Sequence, residues 1–126
     1  MIEHLKKEVE RLLPLRIKVA SFVDPTLTLA GDGWSFSTGS AWRVTAAGVL
    51  TFGWSDPTAS RRVLELCGRP ILSVAAQSPR MGGDPAFELS DGYWLEVFSD
   101  QPTDPWSLQL PSITFVGSPS DPAQVV

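Results

Sequence analysis

Along the chain, apolar positions first recur with helical spacing and then switch to alternation. Ile2, Leu5, Val9, Leu12 and Leu13 fall at intervals of three, four, three and one, a single stripe of a helix over 2–13 that Pro14 ends. Glu3–Lys7 and Lys6–Glu10 lie four apart on its polar side, where such pairs add little. From Leu15 the period becomes two: Leu15, Ile17 and Val19 alternate with Arg16 and Lys18, predicting a strand over 15–23. A turn at Asp24-Pro25, a short strand at Leu27–Leu29 and a close at Gly31-Asp32-Gly33 follow.

The clearest alternation runs from Phe87 to Val97. With Ser90-Asp91-Gly92 as a three-residue loop, a type I turn followed by a left-handed glycine, Leu89 faces Tyr93 and Phe87 faces Leu95. Phe87, Leu89, Tyr93, Leu95 and Val97 then share one face, and Glu88, Trp94 and Glu96 share the other. A two-residue Asp-Gly loop would split the apolar set between faces, so the three-residue register is favoured. A sibling lies 53 residues earlier, from Trp34 to Val44. Read the same way, it places Ser37-Thr38-Gly39 in a loop, Trp34 opposite Trp42, Phe36 and Val44 inward, and Ser35, Ala41 and Arg43 outward.

The sibling extends to a repeat. At the same offset Leu13 meets Leu66, Arg16 meets Arg69 and Gly39 meets Gly92; at 63, Leu50-Thr51-Phe52 meets Ile113-Thr114-Phe115. Between the copies, a strand over 49–54 is followed by Ser55-Asp56-Pro57, a helix start. That helix is expected to reach Cys67, with Ala59, Val63, Leu66 and Cys67 inward and Gly68 past its end. Strands at 70–76, 106–110 and 113–116 complete the set. The expected fold class is α+β: two tandem helix-plus-antiparallel-sheet repeats, about 1–54 and 55–118, packed as one sandwich or half-closed barrel. Residues 1–118 form one domain, and 119–126 have the composition of a flexible tail.

Composition narrows the function. With 126 residues the chain can bury one core, and a net charge of −4 opposes an electrostatic footprint for nucleic acid. No run of about eighteen apolar residues predicts a membrane span, and charges through Arg11 leave no apolar core of signal-peptide type. A lone cysteine, Cys67, admits no intramolecular disulfide. A cytoplasmic protein without a membrane or nucleic-acid partner is expected.

Candidate chemistry is sparse. His4, the single histidine, lies on the wet side of a terminal helix, and nucleophilic catalysis needs a base within hydrogen-bond reach of the nucleophile. Cys67 reads as a packed apolar side chain. No Cys/His spacing suits zinc, and no cofactor is implied. Glu88 and Glu96, diagonal neighbours, have the separation an acid/base pair needs but read as solvated; a contact of either with Arg43 competes. Gly31-x-Gly33 and Gly82-Gly83 lack the strand–glycine–helix context of a phosphate cradle and read as turn glycines. Arg61 and Arg62 make a small basic spot. Aromatic anchors ringed by polar groups suit protein interfaces, and Trp94 on the outer face and the loop Asp100-Gln101-Pro102-Thr103-Asp104-Pro105-Trp106 are the strongest of this kind; the competing reading has a helix cover Trp94 and Trp106 fill the core. The binding candidates are thus Trp94, Trp106, Asp104, Arg61, Arg62, Glu88 and Glu96; catalytic and metal-ligating residues are none.

Leu66, Gly68 and Arg69, then Leu89-Ser90-Asp91-Gly92, Leu95, Val97 and Trp106-Ser107-Leu108 form a pattern over the second half. It resembles that of small uncharacterised bacterial proteins, some of which accompany toxin genes as presumed immunity proteins. The resemblance implies a binding role and assigns no site residues. The expectation is a non-catalytic protein-interaction module, an immunity-type binder whose acidic surface covers a basic partner. The alternative is a small-ligand-binding domain with a Trp-lined pocket between the halves. A homodimer is left open.

Overall fold

The computed structural model describes residues 2–77, 83–101 and 103–118. Helix α1 (Ile2–Glu10) buries Ile2, Leu5 and Val9, the expected stripe. It stops a turn early: the Leu12 N–H caps the Val9 carbonyl at 2.8 Å and Leu12 is 39% exposed. The single strand expected over 15–23 is two, β1 (Leu15–Arg16) and β2 (Val19–Val23), in different sheets. The break comes at Ile17, whose N–H donates to Arg69 O and whose carbonyl accepts from Gly68 N–H. Burial parity slips there, from Leu15 and Ile17 to Ala20 and Phe22, and Val19 is left exposed.

The chain continues through β3 (Thr26–Gly31), β4 (Trp34–Thr38), β5 (Trp42–Ala46) and β6 (Val49–Gly53). Helix α2 (Ala59–Arg62) runs on as a 3-10 turn over Val63–Leu66. Then come β7 (Pro70–Ala76), β8 (Pro85–Leu89), β9 (Tyr93–Val97), β10 (Trp106–Gln109) and β11 (Thr114–Val116). One sheet has the order β1-β7-β8-β9-β5-β6 and the other β11-β10-β4-β3-β2, with antiparallel pairing throughout. Their inner faces meet in one core: Phe36 of β4 touches Phe87 of β8 with centroids 4.9 Å apart, and Phe22 of β2 touches Trp42 of β5 at 5.1 Å. The fold is α+β, two antiparallel sheets with few helices and no closed barrel.

The second hairpin forms in the expected register, Phe87 opposite Leu95 and Glu88 opposite Trp94. Its loop differs in detail, because Asp91 (φ 62°) as well as Gly92 (φ 76°) is left-handed. The first hairpin does not form. β4 pairs with β3 and β10, and β5 pairs with β6 and β9, so Trp34 and Trp42 belong to different sheets. The inward set Trp34, Phe36, Trp42 and Val44 is nevertheless buried as expected. Alternation reports which side of a strand meets the core, and that is the same whether the next strand turns back or crosses over. Residues 39–41 are the crossover. Buried Thr38 and Ser40 hold it: both hydroxyls donate to Pro105 O, at 2.6 and 3.2 Å, and Ser40 N–H donates to Thr38 Oγ1 at 3.0 Å. Each sheet therefore takes strands from both 1–54 and 55–118, and the halves do not fold as two alike units.

The second helix is shorter than expected. Asp56 Oδ1 accepts from the Thr58 N–H and hydroxyl at 2.8 and 2.7 Å, the turn that launches α2. Ala59, Val63 and Leu66 are buried, but Cys67, already extended at φ −61° and ψ 135°, is exposed rather than inward. α2 closes both sheet edges beside it. Ser60 Oγ donates to Phe22 O of β2 at 2.8 Å, and Arg62 Nη1 donates to Thr51 O of β6 at 2.9 Å.

Candidate functional site

Cross-strand register, rather than any motif, assembles the most distinctive surface. On the outer face of the six-stranded sheet, Ser73, Glu88, Trp94, Thr45 and Leu50 stand opposite one another in turn across β7, β8, β9, β5 and β6. The neighbouring row brings Glu96 opposite Arg43. Arg43 Nε donates to Glu96 Oε1 at 2.7 Å, and its guanidinium lies 5.2 Å from the Phe98 ring centroid. Of the two expected Arg43 contacts, the one with Glu96 forms. Glu88 instead accepts from Ser73 Oγ at 2.9 Å, so each of the two outer-face glutamates has its own partner.

This face continues into a trough. A concave region of about 480 Å³ lies over Trp94, Thr45, Leu50, Arg43 and Glu96. It shares Arg43 and Leu50 with a second region of about 480 Å³ that runs along β6 past Phe98 to Trp54. Trp54 also walls a third, smaller groove of about 160 Å³ containing Asp24, Asp100 and Ser40, floored by Phe22. Leu50 is 63% exposed and Trp54 51%. These are large apolar side chains in water on one continuous tract, which is the informative kind of exposure. The other sheet differs: its five strands contain no charged residue, and its outer face presents Ser21, Thr28, Ser37 and Ser107 in one row.

The trough does not invite strand addition. The Thr51 carbonyl at the β6 edge is taken by Arg62 and the Gly53 carbonyl by the Asp56 N–H at 3.0 Å. The trough's exposed groups are side chains. Asp56, beside this edge, has its carboxyl held below the usual carboxylate range, chiefly by the two hydrogen bonds from Thr58 and further by the Arg62 charge.

The other expected site residues lie elsewhere. Trp106 is 1% exposed, against Phe36, and its Nε1 donates to Gly83 O at 3.1 Å, so it serves the core and cannot anchor a partner. Asp104 is exposed with φ 45° in the loop before β10 and does not line the trough. Arg61 is exposed, while Arg62 is committed to Thr51 O and to the Phe52 ring, 4.7 Å away. His4 lies 3.9 Å from Glu8 and edge-on to Phe115. Gly33 is a turn glycine at φ 76°, but Gly31 is required by packing, since a Cβ there would lie 2.2 Å from Arg16 O. Gly82 lies outside the described residues.

Sequence reasoning missed Asp24, Leu50 and Trp54, and reached Asp100 only as part of the loop that leads to Trp106. The available signal was the adjacent apolar pair Val49 and Leu50, of which strict alternation can turn only one toward the core. The alternative expectation was a Trp-lined pocket between the halves; the space between the sheets is filled by Trp42, Trp106, Phe36 and Phe87, each at most 1% exposed. Trp34 instead borders a cleft of about 200 Å³ flanked by Leu12, Leu15 and the Lys18–Asp32 ion pair. Among the described residues no three His, Cys, Asp or Glu side chains group to hold a metal, and no helix is long and apolar enough to cross a membrane. Comparison with protein-family models, curated proteins and solved structures returns no match.

Proposed function

We propose that this chain is a non-catalytic interaction module that binds a protein partner along the Trp94–Leu50–Trp54 trough. The observation that carries this reading is the continuity of the tract: a tryptophan, an exposed leucine and a second tryptophan joined by an Arg43–Glu96 pair. Interfaces use such aromatic anchors, with charged groups at the rim setting specificity. A net charge of −4 and the two aspartates at one end favour a basic partner, in keeping with an immunity-type binder whose acidic surface covers one. Glu96 and Glu88, weighed above as an acid/base pair, are engaged separately by Arg43 and Ser73.

The reading is tested by placing a photo-crosslinking residue at Leu50, at Trp94 or, as a control, at Thr28 on the other sheet, and irradiating in the source cell. A common adduct from positions 50 and 94, absent from 28, supports it. Adducts only from position 28, or none from any site, would overturn it.

A further inference from the structure

We infer that the groove between Asp24 and Asp100 is a subsite for one lysine or arginine side chain of the partner. The inference rests on the interaction reading above and adds the chemistry of what enters that end. Three separated segments build the groove: the Asp24-Pro25 turn after β2, the crossover at Gly39–Ala41, and the Asp100-Gln101 loop after β9, with Trp54 as a wall. Asp100 is positioned there, because both its oxygens lie within 3.4 Å of the Ala41 N–H, and Gln101 Nε2 ties the same loop to Gly39 O at 3.1 Å.

Size and chemistry decide the occupant. At about 160 Å³ the groove falls below the roughly 300 Å³ at which drug-sized ligands and cofactors begin to fit, but it accommodates a single side chain. Two carboxylates are too few for calcium, which takes about six to eight oxygens. Two carboxylates beside a half-exposed indole suit an ammonium or guanidinium whose methylene stem lies on the ring, where ion pairing and cation–π attraction add. At the β6 edge the carbonyls of Thr51 and Gly53 already have donors, Arg62 and the Asp56 N–H.

The test uses the full chain, labelled with ¹⁵N, and three capped tripeptides: Gly-Lys-Gly, Gly-Arg-Gly and Gly-acetyl-Lys-Gly. The lysine or arginine peptide should shift the Trp54 indole and Ala41 amide signals saturably, and the acetylated peptide should not. Asp24→Asn and Asp100→Asn should each weaken binding about two- to fivefold, the range exposed ion pairs deliver. Asparagine keeps an acceptor for the Ala41 N–H, so the loop is preserved, and an unchanged spectrum elsewhere confirms the fold. Equal shifts from the acetylated peptide, or shifts centred away from Trp54, would falsify the subsite. The two readings fail separately: tripeptide binding without a crosslinked partner leaves the subsite and removes the interaction reading. A crosslinked partner whose capture is unaffected by both asparagine variants removes the subsite alone.

Discussion

Two tryptophans of similar burial carry opposite polar bookkeeping. Trp42 is fully buried and its Nε1 has no hydrogen-bond partner among the described residues, whereas Trp106 Nε1 donates to Gly83 O. Replacing either by phenylalanine removes comparable volume, but only W106F also deletes a bond, while W42F deletes an unsatisfied donor. Chemical denaturation should therefore find W106F less stable than W42F by about 1–2 kcal/mol; equal losses would contradict the assignment. Asp56 gives a pH prediction. Its folded carboxyl sits below the usual 3.8, so its contribution is present above that value and is lost as pH falls through the folded pKa. The gap in urea midpoint between wild type and Asp56→Asn should be clear at pH 7 and should narrow by pH 3. At this scale the sequence was legible where burial speaks: Phe87, Leu89, Leu95 and Val97 are all inward as alternation requires. It left Trp106 open between anchor and core and was misleading for Cys67, because an aromatic opening a strand and a small residue ending a helix look alike whether the next turn covers them or not.

Between elements, α2 matters more than its four residues suggest. By satisfying Phe22 O and Thr51 O it closes one edge of each sheet, and open edges recruit further strands. The double variant Ser60→Ala/Arg62→Ala loses two hydrogen bonds and the guanidinium stack on Phe52. A cost of about 2–4 kcal/mol is expected, together with concentration-dependent association. Thermal melting and light scattering check both; a monodisperse variant of unchanged Tm would show that the edges are protected otherwise. Strand existence was largely legible at this scale and strand pairing was not. Ser37-Thr38-Gly39 and Ser90-Asp91-Gly92 present the same hydroxyl-x-glycine sequence, yet only the second closes a hairpin. What separates them is distant: Pro105 supplies the acceptor that Thr38 and Ser40 need to cross between sheets. No local pattern contains that partner.

For the whole molecule, the interleaving of strands is decisive. A tandem pair of units would survive separation, whereas here β1, β5 and β6 share a sheet with β7, β8 and β9, and β10 and β11 share one with β2, β3 and β4. Fragments 1–54 and 55–118 should each give collapsed amide dispersion in ¹H–¹⁵N spectra when alone, and regain it when mixed. A dispersed spectrum from either fragment by itself would restore the tandem description. The same interleaving governs the groove at Trp54, whose residues come from positions as far apart as 24 and 100. Global unfolding parts the sheets and must dismantle it. Occupancy of the groove is thus linked thermodynamically to global unfolding. A bound partner should slow hydrogen exchange at core amides that exchange only through global unfolding, such as those of Leu95 and Val44, far from the groove itself.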